Sequence, residues 1–90
     1  MAVVRKRVLV SGWVQGVFFR DSARRQAEAR RVAGHARNLH DGRVELEFEG
    51  DEAAVDALVD WAHQGPARAD VIAVDVVDVE PTGQRGFAVS

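Results

Sequence analysis

The sequence predicts an α+β domain with the element order β-α-β-β-α-β and a short extra strand near its end. Three observations carry that prediction. The hydrophobic period switches several times between strand-like and helix-like along the 90 residues. Asp41-Gly42, midway along the chain, is a strong hairpin signal. Between Arg43 and Glu49 the alternation is strict, with Val44, Leu46 and Phe48 on one face and Glu45, Glu47 and Glu49 on the other.

The elements follow in order. Lys6–Ser11 reads as a strand, its Val8, Leu9 and Val10 short enough a run to be buried. Asp21–Val32 is rich in Ala, Arg, Gln and Glu and predicts a helix, with Asp21 and Ser22 suited to its start. Phe19, Ala23 and Ala27 recur every fourth residue and form a thin apolar stripe that allows close packing on a sheet. Gly34 opens the next unit, and His35–His40 reads weakly as a strand before the Asp41-Gly42 turn and the strand Arg43–Glu49. Asp51 stands at an N-cap position for a second helix whose stripe is Val55, Leu58, Val59 and Ala62, with Trp61 beside it. Gly65-Pro66 stops that helix. Val71–Val79 predicts a strand with imperfect alternation, because Val76 and Val77 are adjacent, and Phe87–Val89 predicts an edge strand. Two βαβ-like halves joined by a hairpin give the split βαβ, ferredoxin-like arrangement, an antiparallel sheet with two helices on one face. Its other face is expected to be solvated, which suits the row of glutamates.

Size and composition bound what such a domain can be. Ninety residues predict a single domain, 1–90, with a modest core. Hydrophobic content of 47% and charged content of 29% fit a globular chain. No 18-residue apolar run and no signal-peptide pattern are present, and cysteine is absent, which together predict a cytoplasmic protein without disulfides or thiolate metal sites. His35, His40 and His63 lack metal-ligand spacing, so neither a metal nor a cofactor is expected. Net charge is −2, yet residues 1–40 carry nine basic against two acidic residues and residues 41–90 three against twelve. That asymmetry fits an anionic ligand for the first half, or equally a basic half that pairs with an acidic one. Trp13, Phe18 and Phe19 interleave with basic residues, which raises nucleic acid as a ligand; the three glutamates on Arg43–Glu49 argue against RNA on that strand.

Gly12–Arg20, GWVQGVFFR, is the segment with the most chemical content. Glycines permit a nest of converging backbone N–H groups, the loop runs into a helix N-terminus, and Arg20 adds a planar fork for two phosphate oxygens. No carboxylate lies between Ser11 and Arg20. On spacing alone a plain strand-to-helix turn stays slightly ahead, since the Gly-Lys-Ser/Thr ending of a Walker loop is missing. Asn38, just before the hairpin turn, could orient a water through its carboxamide, and taken alone is an ordinary polar surface residue.

Taken together, these two segments resemble the acylphosphatase family. Gly12, Val14, Gln15, Gly16, Val17, Phe19 and Arg20 match its first signature, and Gly34, Ala36, Asn38, Gly42, Val44 and Gly50 match its second. Gly65-Pro66 and Ala69–Val71 also look like the family, so the resemblance covers nearly the whole chain. It implies a metal-independent hydrolase of small acyl phosphates, acting as a monomer, with inorganic phosphate as product ligand and no membrane or nucleic-acid partner. By resemblance, the amides of Gln15, Gly16, Val17, Phe18, Phe19 and Arg20 and the Arg20 guanidinium hold the phosphoryl group, and Asn38 holds the attacking water. Similar domains also occur inside larger carbamoyl-transfer proteins, which a chain without a linker disfavours. Two departures stand out: His35 replaces the usual aromatic residue, which is expected to cost stability or rigidity, and Arg30-Arg31 replaces a frequent Leu-Gly at the end of the first helix.

Overall fold

Seven elements are present in the computed structural model, which describes residues 2–90. They are β1 (Val3–Trp13), α1 (Phe19–Ala29), β2 (Ala33–Asn38), β3 (Val44–Asp51), α2 (Glu52–Ala62), β4 (Asp70–Val79) and β5 (Phe87–Val89). The sheet order is β4-β1-β3-β2-β5. β3 lies antiparallel between β1 and β2, and β1 lies antiparallel between β3 and β4. Each βαβ unit is thus split by a strand of the other, the ferredoxin-like arrangement that the element order predicts.

The sheet is mixed rather than purely antiparallel. β5 pairs in parallel with β2, Gly34 opposite Phe87 and Ala36 opposite Val89. The cause is the route of the chain. After β4 on one edge it crosses the helix-free face at Arg5 and Glu49, and it meets β2 at the end where β2 begins. Only a strand running the same way as β2 can continue from there.

The core lies between the sheet and the helices. Val8, Val10, Leu46 and Phe48 supply the sheet side, Phe19, Ala23 and Ala27 the α1 side, and Val55, Leu58 and Ala62 the α2 side, all buried. Alanines on α1 let it approach the sheet closely, as the thin stripe implies. The Phe19 and Trp61 rings meet at 5.3 Å between centroids. Gly65, at φ +67°, closes the turn after α2 onto Phe19, where a Cβ would come within 2.5 Å of the ring.

Helix ends depart from expectation. α1 begins at Phe19, two residues before Asp21, and Phe18 caps it in a left-handed conformation (φ 65°, ψ 23°) without a side-chain cap. Asp21 instead pairs with Arg24 and Arg25 in the first turn. The helix ends at Ala29 rather than Val32, in a Schellman turn: Val32 N–H donates to the Ala27 carbonyl and Arg31 N–H to that of Glu28. Arg31 takes the left-handed position (φ 56°) where glycine is the usual residue. Asp51 does precede α2, but its side chain makes no capping bond.

The glutamate row is not solvated as the alternation suggests. Glu45 and Glu49 are each only 6% exposed. Register supplies their partners: Arg5 stands opposite Glu49, His35 opposite Glu47, and Arg37 opposite Glu45. Arg5 reaches Glu47 at 2.6 Å and Glu49 at 2.9 Å; Arg37 reaches Glu45 at 2.8 Å. The C-terminal segment covers Glu49, whose carboxylate accepts the Thr82 and Gly83 amides at 2.7 and 2.8 Å. Burial pushes both carboxyls up, yet their partners prevail: Thr82, Arg5 and Gly83 hold Glu49 below the ordinary carboxylate range, and His35 and Arg37 do so for Glu45. His35 turns toward the glutamates, its Nε2 3.1 Å from Glu45 Oε1.

A carboxyl held low in the folded state contributes stability above its ordinary value of 4.5, and that contribution is lost as pH falls through the depressed value. Urea midpoints should therefore drop steeply below about pH 4.5, and Glu49→Gln should be less stable at neutral pH with a shallower acid decline. Arg31→Gly should relieve left-handed strain and raise unfolding free energy by about 0.5–1 kcal/mol after the extra chain entropy of glycine is counted. Denaturant unfolding of the variant measures this directly.

Candidate active site

Topology decides which residues meet. β1 and β2 run in the same direction, so their C-terminal ends lie at one end of the sheet, beside the N-terminus of α1. Residues 14–20 leave β1 and enter α1 there, and Asn38 ends β2 there. Val10 and Asn38 both pair with Val44, on the helix side of the sheet. Arg20 and Asn38, distant in sequence, consequently line one cavity of about 270 Å³ together with Gly16, Phe18 and Phe19.

The loop has the backbone that a nest of amides requires. Gly16 has φ 74° and open space around its missing Cβ, and Phe18 has φ 65°. A bulky residue in that region is an outlier, and such strain concentrates at functional loops. The first α1 bond is Ser22 N–H to the Phe18 carbonyl, 3.0 Å. Among the described residues no backbone or side-chain acceptor takes the amides of residues 15–20. Those donors and the positive end of the helix dipole lie together at the N-terminus of α1.

Not every residue of the loop reaches the cavity. Gln15 turns its side chain away: Nε2 donates to the Leu39 carbonyl at 2.7 Å and to that of Arg43 at 3.0 Å, tying the loop to the β2–β3 turn. Val17 is buried, 6% exposed. Of these two, the backbone amide is the group that remains for an anion. Asn38 is exposed at the end of β2. Arg20 is partly exposed, and its Nη1 donates to the Ser90 carbonyl at 2.6 Å.

Sequence reasoning missed three neighbours. Asp21, read only as a helix-start residue, lines the cavity too, its carboxyl held below the usual range by the Arg24 hydrogen bond. Val89 lines it, and Ser90, just past β5 and 70 residues away, anchors Arg20, for which no local pattern exists. A larger cavity of about 530 Å³ opens at the opposite end of the sheet, near Arg31 and Arg85, and shares no residue with this one.

Among the described residues one group brings metal-ligand atoms within 4.8 Å of one another: His35, Glu45 and Glu47. It lies on the helix-free face, away from Arg20 and Asn38, and Arg5 and Arg37 already bind its carboxylates. Part of the basic half of the chain is occupied in the same way, Lys6 pairing with Asp56 on α2 at 3.0 Å. No helix among the described residues is long and apolar enough to cross a membrane.

Residues 6–89 match the sequence profile of the family described as Acylphosphatase. An acylphosphatase of Rubrobacter xylanophilus is 59% identical over 87 residues, covering 94% of this chain and 78% of the relative. One from Roseiflexus sp. is 51% identical over 90 residues, covering 99% and 97%. The solved structure of an acylphosphatase from Coxiella burnetii superposes with a TM-score of 0.94 at 36% identity, covering 98% of this chain and 93% of that one.

Proposed function

This chain belongs to the acylphosphatase family, and from that premise we propose that it hydrolyses small acyl phosphates at the cavity between the loop 14–20 and Asn38. The observation that carries the reading is the meeting of Arg20, Gly16 and Asn38 in one cavity of about 270 Å³, a volume fit for a small substrate.

The chemistry follows from the groups present. The substrate R–CO–O–PO₃²⁻ places its phosphoryl oxygens against the free amides of residues 15–20 and the Arg20 fork. Both stabilise the charge that spreads over those oxygens in the transition state. Ser90 holds one arm of the guanidinium, which fixes its orientation before substrate arrives. Asn38 orients a water in line with the scissile P–O bond, accepting from it and donating to it through one carboxamide. The water oxygen bonds to phosphorus as the bond to the carboxyl oxygen breaks. The carboxylate leaves unprotonated, and a phosphate oxygen takes the water proton, giving R–COO⁻ and H₂PO₄⁻. A carboxylate is a good leaving group, so no strong general acid is needed, and the positive charge comes from Arg20 and the helix N-terminus without a metal. Inorganic phosphate is then the product ligand of the same cradle. The pairing of Arg5, Lys6 and Arg37 with carboxylates supports a small-molecule substrate over a polynucleotide. A cytoplasmic monomer is part of this reading.

Benzoyl phosphate hydrolysis in EDTA tests it. The wild type should turn over with metal chelated, and Arg20→Ala should lose about 10²–10³-fold in kcat/KM, the scale of a lost charge-stabilising donor. Asn38→Ala should lower kcat with little change in KM, because its partner is the water and not the substrate. Full kcat in Asn38→Ala would remove the water-positioning role; activity lost in EDTA and restored by a divalent cation would remove metal independence.

A further inference from the structure

A second cavity, about 310 Å³, adjoins the first across the Phe18 ring. Phe18 and Asp21 line both. On the far side the wall is Val17, Pro66, Arg25 and Arg68. Phe18 is 69% exposed, a large apolar ring standing in solvent beside the phosphate cradle on a strained backbone. Its position fits an organic group that continues from a phosphoryl group in the first cavity into the second.

The charges of the second cavity are unequal. Arg25 is engaged by Asp21 at 3.0 Å. Arg68 pairs with no carboxylate among the described residues, although it lies two residues from Asp70 in sequence. Asp21 stands between the cavities with both Arg24 and Arg25 on its carboxylate, so its charge is largely balanced where a substrate would pass. The second cavity therefore offers an apolar floor, Phe18, Val17 and Pro66, ending in one uncommitted guanidinium.

We propose that this cavity is the acyl subsite, and that Arg68 selects acyl phosphates whose acyl chain ends in a second anionic group. The inference rests on the acyl phosphate hydrolysis proposed above and adds the substrate class. Arg68 is here a specificity residue. It touches the remote end of the substrate and takes no part in the phosphoryl step, and its contribution is modest because it is exposed.

Succinyl phosphate and butyryl phosphate test it, since they share a four-carbon chain and differ in the terminal carboxylate. The wild type should prefer succinyl phosphate by about fivefold in kcat/KM at low salt, and the preference should shrink as salt screens the charge. Arg68→Ala should abolish the preference and leave butyryl phosphate unchanged, while Arg68→Lys should restore part of it. Equal wild-type kcat/KM for the two substrates, or an Arg68→Ala loss shared by both, would overturn the subsite and leave the hydrolase reading standing. Absence of turnover of either substrate by the wild type would overturn the hydrolase reading and this inference with it.

Discussion

The buried guanidinium of Arg5 is the interaction on which the C-terminal third of the fold depends. Only 5% exposed, it donates to Glu47, Glu49, Thr82 and Gln84. Five donors in a fixed plane suit one arginine of β1 to bind β3 and a crossing segment at once. A buried ion pair adds little net stability, since desolvation offsets attraction, but losing one member leaves the other charged and unpaired. Its value here is directional. It seats residues 82–84 on the helix-free face, Gln84 Nε2 then donates to the Gly34 carbonyl at 2.7 Å, and β5 has only β2 to follow. Ser90 arrives beside Arg20 as a result. A charge cluster at one end of the sheet thereby helps to orient an arginine at the other.

That chain of dependence explains what the sequence could and could not disclose. Strict alternation over Arg43–Glu49 identified the core face correctly, since a period of two admits no other choice once Val44, Leu46 and Phe48 are buried. It could not disclose what covers the opposite face. The partners of Glu49 are Arg5 and residues 82–83, and a local period carries no information about neighbours so far away. The direction of β5 was hidden for the same reason, because it is set by where the crossing segment is tied and not by Phe87–Val89 themselves. The charge asymmetry between halves was visible, and much of it is spent in cross-strand pairs and on Lys6–Asp56.

Helix boundaries failed for a related reason. Asp21 and Ser22 have the residue types of a helix start, yet α1 begins at Phe19 because that ring packs on Trp61 and under Gly65. Tertiary packing of one aromatic outweighs a cap worth about 1 kcal/mol. At the other end, Arg31 accepts a left-handed backbone because the Schellman bonds and the burial of Val32 and Ala27 close the turn around it. In both cases long-range burial overrides local preference, at the price of strain at a single residue.

The candidate site divides along the same line. Its candidate donors are legible, because two glycines and Arg20 fall within nine residues, although spacing alone leaves a plain turn slightly ahead and only the family resemblance tips the reading to an anion cradle. Its rigidity is not. The loop is held by Gln15 on the Leu39 and Arg43 carbonyls, by Val17 in the core, and by Phe19 against Trp61 and Gly65. These restraints fix the loop at three points, which on the proposed reading leaves its amides little to reorganise when an anion binds. Phosphoryl transfer draws its rate from positioning and charge stabilisation, and donors that need no reorganisation contribute most to both. The left-handed Phe18 fits that account. Its strain persists because the neighbours over-determine the loop.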